Sequence, residues 1–106
     1  MLCVAISLGP LTVERAGARL LGRPLALRPL DLRVLGLLAG SPQRALTREA
    51  IAEHIWGQDA TVDPRAIDVC VRRLRRAMDG AGHAIVTVRR VGYRLDLDLL
   101  MDAADA

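Results

Sequence analysis

The stretch DPRAIDVCVRRLRRAM, residues 63–78, predicts a helix with two chemically different faces. Asp63 suits the N-cap and Pro64 the first helical position, and Asp79 with the glycines that follow ends the helix. At 100° per residue the apolar side chains fall on one stripe, which comprises Ile67, Val71, Leu74 and Met78. The opposite side carries Arg65, Val69, Arg72 and Arg76. One face is therefore suited to a core, while the other carries fixed positive charge.

The basic face has an ordinary interpretation and a functional one. A solvated surface is the ordinary interpretation, and an isolated run of arginines favours it. Two features point to an anionic ligand instead. All of the cations are arginines, whose planar fork fits phosphates and guanine edges. Small side chains, at Ala66, Val69 and Cys70, would also let the helix approach a groove closely.

The composition predicts one domain with an aliphatic core. The chain has 106 residues, 52% of them hydrophobic, and its only aromatic residues are Trp56 and Tyr93. The net charge is +3, but residues 63–94 alone carry +5, and residues 95–106 hold four aspartates and no base. This gradient indicates a polyanionic partner that one region contacts. No apolar run could span a bilayer and no signal peptide is recognisable, so we expect a cytoplasmic protein without membrane contact.

Signatures of catalysis and of metal binding are not recognisable. The two cysteines, Cys3 and Cys70, lack CxxC spacing, and neither histidine stands at ligand spacing to them. No Ser/His/Asp, Cys/His or paired-carboxylate arrangement and no glycine-rich phosphate loop is present. We therefore predict no enzyme, no cofactor, no metal and no small-molecule substrate. A redox-sensitive thiol at Cys70 is an alternative, although a small residue that fills space is the favoured interpretation.

Turn signals and hydrophobic periodicity divide the chain into short elements. We predict strands at 4–8, 11–13, 18–21 and 25–27, helices at 29–39, 48–56 and 63–78, and hairpin strands at 85–88 and 93–95. The hairpin tip is placed at 89–92, where Gly92 could adopt a positive φ. We place the domain at residues 1–95. Residues 96–106 form an acidic C-terminal tail, which is either loose or docked through Leu99, Leu100 and Met101.

Three stretches together resemble a known family. They are LTREAIAEHIWG at 46–57, VDPRAIDVCVRRLRRAM at 62–78 and IVTVRRVGYRL at 85–95. Over roughly residues 8–95 the chain resembles the C-terminal effector domain of OmpR/PhoB-type response regulators. The resemblance implies an α+β winged helix-turn-helix, with an N-terminal four-stranded antiparallel sheet, three helices and a C-terminal β-hairpin wing. It also implies sequence-specific binding of double-stranded DNA and transcription regulation, by the effector domain of a two-component response regulator or by a free-standing relative.

The resemblance implies three classes of DNA contact on matching positions. A recognition helix in the major groove would contact base edges through Val69, Cys70 and Arg73. Phosphates would be held by Arg48, Trp56, Arg65, Arg72, Arg75, Arg76, Thr87 and Tyr93. The wing would reach the minor groove with Arg89 and Arg90, the second of which replaces the usual glycine. The periodicity itself places Arg75 at the flank of the basic face, toward the second helix, which suits a phosphate contact.

Further partners and one alternative function complete these expectations. In this family the loop that matches Gln58 to Val62 often contacts RNA polymerase, although a plain connector is equally compatible. Family members often bind direct repeats as head-to-tail pairs. The alternative is a winged-helix module for protein interaction with weak or lost DNA binding, in which the acidic tail covers the basic face. No receiver-domain pocket is recognisable, so we expect either a piece of a longer regulator or a free-standing domain.

Overall fold

The computed structural model describes residues 6–57, 63 and 65–105, of which residues 104 and 105 are described by their backbone alone. The first half contains β1 (Ile6–Leu8), β2 (Leu11–Glu14), β3 (Gly17–Leu20), β4 (Arg23–Pro24), α1 (Pro29–Gly40), β5 (Leu46–Thr47) and α2 (Arg48–Trp56). The second half contains α3 (Arg65–Met78), a 3-10 segment (Asp79–Ala84), β6 (Ile85–Val88), β7 (Gly92–Leu95) and α4 (Leu97–Asp105). The α+β arrangement with an N-terminal four-stranded antiparallel sheet and a C-terminal hairpin is confirmed.

The N-terminal sheet has the order β1-β2-β3-β4, and its last strand differs from the prediction. We predicted a strand at 25–27, whereas the structure pairs Arg23 with Leu20. Leu21 and Gly22 both have positive φ, 54° and 79°, and so form a two-residue turn that returns the chain at once. The fourth strand therefore starts two residues early and is only two residues long. The strand predicted at 4–8 is described from Ile6 onward.

Helix α1 lies at the centre of the core. It packs against α2, α3, β1, β2 and β7. The largest fully buried side chains are aliphatic, as the composition predicted, and they are Leu11, Leu35, Leu38, Ile51, Ile67, Leu74, Met78, Ile85, Leu95, Leu100, Val34 and Val71. Helix α2 begins as predicted, because the Thr47 side chain accepts a hydrogen bond of 2.9 Å from the Ala50 N–H.

The C-terminal hairpin belongs to a three-stranded sheet of order β5-β7-β6. We predicted that Gly92 could adopt a positive φ, and this is wrong. The residue of this turn with a positive φ is Arg90, at 67°. Gly92 instead begins β7 and lies opposite Thr47. A Cβ atom on Gly92 would lie 2.0 Å from the Leu46 carbonyl oxygen, so a glycine is required here by the close approach of β5.

The acidic tail predicted at 96–106 contains a docked helix, α4 (Leu97–Asp105), in its described part. Leu100 is fully buried and belongs to the core, and α4 packs against the 3-10 segment. Asp96 caps the helix, since its Oδ1 accepts a hydrogen bond of 3.0 Å from the Leu99 N–H. The division that we predicted at residue 95 therefore does not separate two packing units, and the fold has a fourth α-helix in place of a loose tail.

We expect Gly92→Ala to lower the free energy of unfolding by at least about 2 kcal/mol, because the new methyl group would collide with backbone atoms of β5 that cannot move aside. Urea unfolding followed by circular dichroism measures the loss. Gly80→Ala is the matched control, because nothing lies within 4 Å of a Cβ atom at that position. Equal stabilities of the two variants would contradict the proposed close approach.

Candidate nucleic-acid interface

Helix α3 has the two faces that its sequence predicts. The inner stripe is at most 1% exposed and comprises Ile67, Val71, Leu74 and Met78. The outer side exposes Arg65, Val69, Arg72 and Arg76. Val69 is 47% exposed although its side chain is apolar. A burial pattern of this kind indicates that the aliphatic core anchors the helix from behind and leaves an arginine-rich surface outside.

The start of α3 is stabilised by Asp63. Its Oδ1 accepts a hydrogen bond of 2.9 Å from the Arg65 N–H, and its carbonyl oxygen accepts one of 2.9 Å from the Ala66 N–H. The prediction that Asp63 caps this helix is confirmed. Pro64 and the loop at 58–62 lie outside the described residues, so the prediction of a polymerase contact through Gln58 to Val62 is not tested by the structure.

The carboxylate of Asp68 joins α3 to α2 and to the hairpin. Arg48 of α2 donates from Nε to Asp68 Oδ1 over 2.6 Å, and the Tyr93 hydroxyl of β7 donates to the same oxygen. Burial alone would raise the pKa of Asp68, but the hydrogen bonds from Arg48 and Tyr93 outweigh it and lower this pKa. The two donors thus hold a charged carboxylate at the junction of three elements.

Tyr93 is less available than the predicted phosphate contact requires. The residue is 5% exposed, and its hydroxyl hydrogen is used by Asp68. The guanidinium carbons of Arg48 and Arg75 lie 5.4 and 5.8 Å from the centre of its ring. Tyr93 thus supports the surrounding cations, and its phosphate contact stays a prediction. Trp56 is half-buried against the core, and its phosphate contact stays a prediction.

Arg75 connects α3 to the hairpin. Its Nη2 donates to the Ile85 carbonyl oxygen at 2.7 Å and to Thr87 Oγ1 at 2.8 Å, and its Nε donates to the same carbonyl at 3.0 Å. We predicted that the Arg75 side chain lies toward the second helix and contacts a phosphate. The predicted direction of the side chain is wrong. The side chain lies against β6, and Nε and Nη2 are occupied by the protein itself.

Arg73 and Cys70, which we predicted to contact base edges, have partners within the protein. Arg73 donates from Nη2 to Asp31 Oδ1 at 2.9 Å and from Nε to both carboxylate oxygens of Asp31, at 3.0 and 3.1 Å. Its Nη2 also lies 3.6 Å from Cys70 Sγ. Cys70 is fully buried, so its side chain cannot face a base. The helical position of these residues, at the edge of the outer face, turns them toward α1 instead.

The environment of the Cys70 thiol makes it unreactive. Burial, and then the neighbouring Asp31 carboxylate, raise the pKa of Cys70 to about 11. The thiol is therefore protonated at neutral pH, whereas oxidation and nucleophilic attack require a thiolate. These surroundings favour the space-filling interpretation of Cys70 over a redox sensor.

The tip of the hairpin carries the remaining predicted contacts. Arg89 and Arg90 are exposed between β6 and β7, and Thr87 is exposed on β6 while it accepts the bond from Arg75. The structure thus sorts the predicted arginines into two groups. Arg48, Arg73 and Arg75 are bound by the protein, whereas five arginines are exposed, namely Arg65, Arg72, Arg76, Arg89 and Arg90.

Asp31 and Asp68 hold arginines of this surface, and neither was among the predicted site residues. A signal for Asp31 was present. It lies three, four and seven residues before Val34, Leu35 and Leu38, which are fully buried, so it falls on the buried stripe of α1. An acid on a buried stripe requires a cationic partner. Nothing in the local pattern named Arg73 as that partner.

Other kinds of site are not apparent in the described part of the chain. Among those residues, no group of three or more His, Cys, Asp or Glu side chains could hold a metal ion. No helix within the same ranges has the length and apolar character needed to cross a membrane.

Comparison with known proteins gives one consistent family. The family model for "Transcriptional regulatory protein, C terminal" matches residues 22–95. The phosphate regulon transcriptional regulatory protein PhoB of Escherichia coli (strain K12) is 38% identical over 73 residues, which cover 67% of this chain and 32% of that protein. Transcriptional regulatory protein AfsQ1 of Streptomyces coelicolor is 38% identical over 95 residues, which cover 85% of this chain and 42% of that protein. The chain thus spans less than half the length of these relatives.

Solved structures show the same fold. The RstA DNA-binding domain of Klebsiella pneumoniae, in complex with the RstA box, has a TM-score of 0.75 at 31% identity over 88% of this chain and 97% of that one. The DNA-binding domain of CpxR from E. coli has a TM-score of 0.75 at 26% identity over 88% of this chain and 96% of that one.

The lowered pKa of Asp68 predicts an acid-dependent loss of stability. A carboxyl whose pKa is lower in the folded state stabilises the fold above its unfolded pKa, near about 4, and this contribution disappears as the pH falls through the folded pKa. We expect the wild type to exceed Asp68→Asn in unfolding free energy by a constant margin from pH 7 to about pH 5. The margin should shrink below about pH 4.

Urea unfolding at a series of pH values measures this margin. Asp102→Asn is the control, because it removes the same charge from an exposed position on α4. A margin for Asp68→Asn that persists undiminished to pH 2 would show that the ionised carboxylate is not what joins the three elements.

Proposed function

This chain belongs to the OmpR/PhoB family of transcriptional regulatory proteins and corresponds to their C-terminal domain, and we propose that it binds double-stranded DNA sequence-specifically to regulate transcription. Helix α3 would lie in the major groove, and the β6–β7 hairpin, which we call the wing, would reach the flanking minor groove. Recognition is non-covalent, and no catalytic step forms part of the proposal. A regulator of this kind would act in the cytoplasm, which stays a prediction.

The observation that carries the proposal is the exposed arginine face of α3. Arg65, Arg72 and Arg76 project from the side opposite the buried stripe. The helix has 14 residues and so extends over roughly 20 Å, which suits a segment lying within a groove. Arginines in this arrangement attract phosphates through counterion release, independently of the base sequence.

Discrimination between sequences requires contacts of a different kind. Val69 supports such a contact, because it is 47% exposed and is flanked on its face by Arg65 and Arg72. An apolar side chain at this place suits the methyl group of thymine, which only the major groove presents. We therefore assign base contact to Val69 and phosphate contact to the exposed arginines of α3, while Arg89 and Arg90 would enter the minor groove.

The alternative of a protein-interaction module receives less support. It required the acidic C-terminal residues to cover the basic face. Helix α4 packs instead on the 3-10 segment, and its acids form no ion pair with the α3 arginines among the described residues. Of the eight arginines predicted to contact DNA, three are bound internally, but five remain exposed to an outside partner.

We expect the affinity for a random-sequence duplex to fall with salt at a log–log slope of about −4 to −5, because the five exposed arginines, three at phosphates and two in the minor groove, would together release about five counterions. Arg72→Ala should make the slope shallower by about one and weaken binding to all duplexes alike. Fluorescence anisotropy over a range of salt concentrations measures both effects.

Arg23→Ala provides the matched control, since Arg23 is an exposed arginine on β4 in the N-terminal sheet. It removes the same charge but should leave the slope unchanged. A slope near zero for the wild type, or equal changes for the two variants, would overturn the proposed interface. Selection of bound sites from random DNA would then supply the preferred sequence and the spacing of any half-sites.

The context in a longer regulator is part of the same proposal. An effector role in a two-component response regulator and head-to-tail pairing on direct repeats stay predictions from the family. So does the polymerase contact through Gln58 to Val62.

Substitution of Asp59 and Thr61 should lower transcription without lowering DNA affinity, as measured by in vitro transcription beside a binding assay. Unchanged transcription would remove the polymerase contact from the proposal.

A further inference from the structure

We propose that Asp31 is a positioning residue for DNA recognition, which holds Arg73 side-on and so presents the end of its guanidinium to a guanine. The inference rests on the proposed function, since it requires α3 to lie in the major groove. Asp31 belongs to α1 and would not touch DNA itself. Its effect on recognition would act entirely through the direction of the Arg73 guanidinium.

The pairing of Arg73 with Asp31 uses only one edge of the guanidinium. Five N–H groups project from this planar group in fixed directions, one from Nε and two from each terminal nitrogen. Nε donates to both oxygens of Asp31, at 3.0 and 3.1 Å, and Nη2 donates to Oδ1 at 2.9 Å. One N–H of Nη2 and both of Nη1 are left over. Because one of these on each terminal nitrogen points away from the stem, the end of the guanidinium can donate to two acceptors at once.

The protein competes only weakly for this end of the guanidinium. Cys70 Sγ lies 3.6 Å from Nη2, and a thiol sulfur is a weak acceptor. Nη1 makes no hydrogen bond to a residue in the described part of the chain. A base with two adjacent acceptors would therefore displace little when it meets Arg73. Guanine is that base, because its O6 and N7 both face the major groove and together accept from one arginine.

Arg73 lies beside the base contact that we assigned to Val69. It follows Val69 by four residues, so the two side chains are neighbours on one face of α3. The Arg73 side chain is 33% exposed and that of Asp31 only 2%, so the part of the pair that meets solvent is the arginine. Four residues of helix span about 6 Å, and stacked bases repeat about every 3.4 Å. We therefore expect the guanine within about two base pairs of the thymine that Val69 would contact.

Burial of Asp31 keeps the guanidinium in this direction. Asp31 lies on the same stripe of α1 as the fully buried residues Val34, Leu35 and Leu38, so it cannot turn out to solvent. Without Arg73 its carboxylate would be left uncompensated in the interior, which is strongly unfavourable. An arginine that is fixed before binding loses less side-chain entropy when it meets a base. Because Asp31 also neutralises its charge, Arg73 would contribute to discrimination between sequences more than to the general attraction for phosphates.

The experiment compares the wild type with Asp31→Asn, whose amide keeps the shape of the side chain and removes the charge that holds Arg73. Bound sites are selected from a random duplex library and sequenced. Affinities are then measured for the selected site, for the same site with its guanine pair exchanged, and for a random duplex. We expect the wild type to discriminate about tenfold or more at this base pair and Asp31→Asn about threefold or less. Affinity of Asp31→Asn for the random duplex should not fall, because a released arginine can approach phosphates.

Arg73→Ala should lose the same discrimination, and adding Asp31→Asn to it should change discrimination no further, because Asp31 acts only through Arg73. Asp98→Asn is the matched control, since it removes an exposed acid from α4 and should keep the full discrimination. The inference is wrong if either Asp31→Asn or Arg73→Ala keeps the wild-type discrimination. A wild type that fails to bind any duplex at low salt would instead overturn the proposed function. The two failures are thus distinguishable.

A measurement on the wild type decides the question if Asp31→Asn does not fold. The side-chain nitrogens of Arg73 are observed by NMR spectroscopy of nitrogen-labelled protein, with Arg73→Lys to assign the signals. The Nε–H should exchange slowly with water in the free protein, because Asp31 binds it, and should stay protected when the selected duplex is added. The Nη resonances should shift on addition of the duplex, since the end of the guanidinium would then meet guanine. Loss of Nε–H protection on binding, or Nη resonances that do not respond, would overturn the inference.

Discussion

Burial of the apolar stripe of α3 is the constraint on which the rest of the molecule depends. Ile67, Val71, Leu74 and Met78 are at most 1% exposed, and each such side chain contributes about 1.5–3 kcal/mol when it leaves water. Because successive residues of a helix are separated by a fixed angle, fixing this stripe also fixes the direction of every arginine on the helix. The basic face is therefore a consequence of the core, and it needs no charge interaction of its own to be held in place.

Two carboxylates then bind some of the arginines within the protein, while other arginines stay exposed to solvent. Asp31 holds Arg73 against α1, and Asp68 holds Arg48 of α2. Arg48 donates from Nε, and Arg73 donates from Nε and Nη2, so both arginines help to keep the elements in register. The formal charge of +5 for residues 63–94 thus overstates the field available to a polyanion, because Asp31 lies outside that segment and neutralises a charge within it.

Local patterns could be predicted from the sequence, whereas pairings between distant residues could not. The faces of α3 and the caps at Thr47 and Asp63 follow from a few neighbouring residues, and the structure confirms them. The contact of Arg73 with Asp31 joins residues 42 positions apart, and no periodicity contains that information. The pairing of β5 with β7 was not predicted for the same reason, and the sequence left open whether the C-terminal residues dock through Leu100 or stay loose. The conformation of Gly92 was misjudged because its requirement comes from β5 and not from the turn.

The wing and α3 behave as one body because several independent bonds connect them. Arg75 donates to β6 at Ile85 and Thr87, and Asp68 accepts from Tyr93 of β7 while it also holds α2. Rotation of the wing relative to α3 would break bonds to both of its strands at once. A duplex that meets this surface would therefore find the wing tip already oriented, which lowers the entropy lost on binding. Tyr93 and Arg75 would therefore act on the proposed minor-groove contact of Arg89 and Arg90 indirectly, by orienting the wing that carries them.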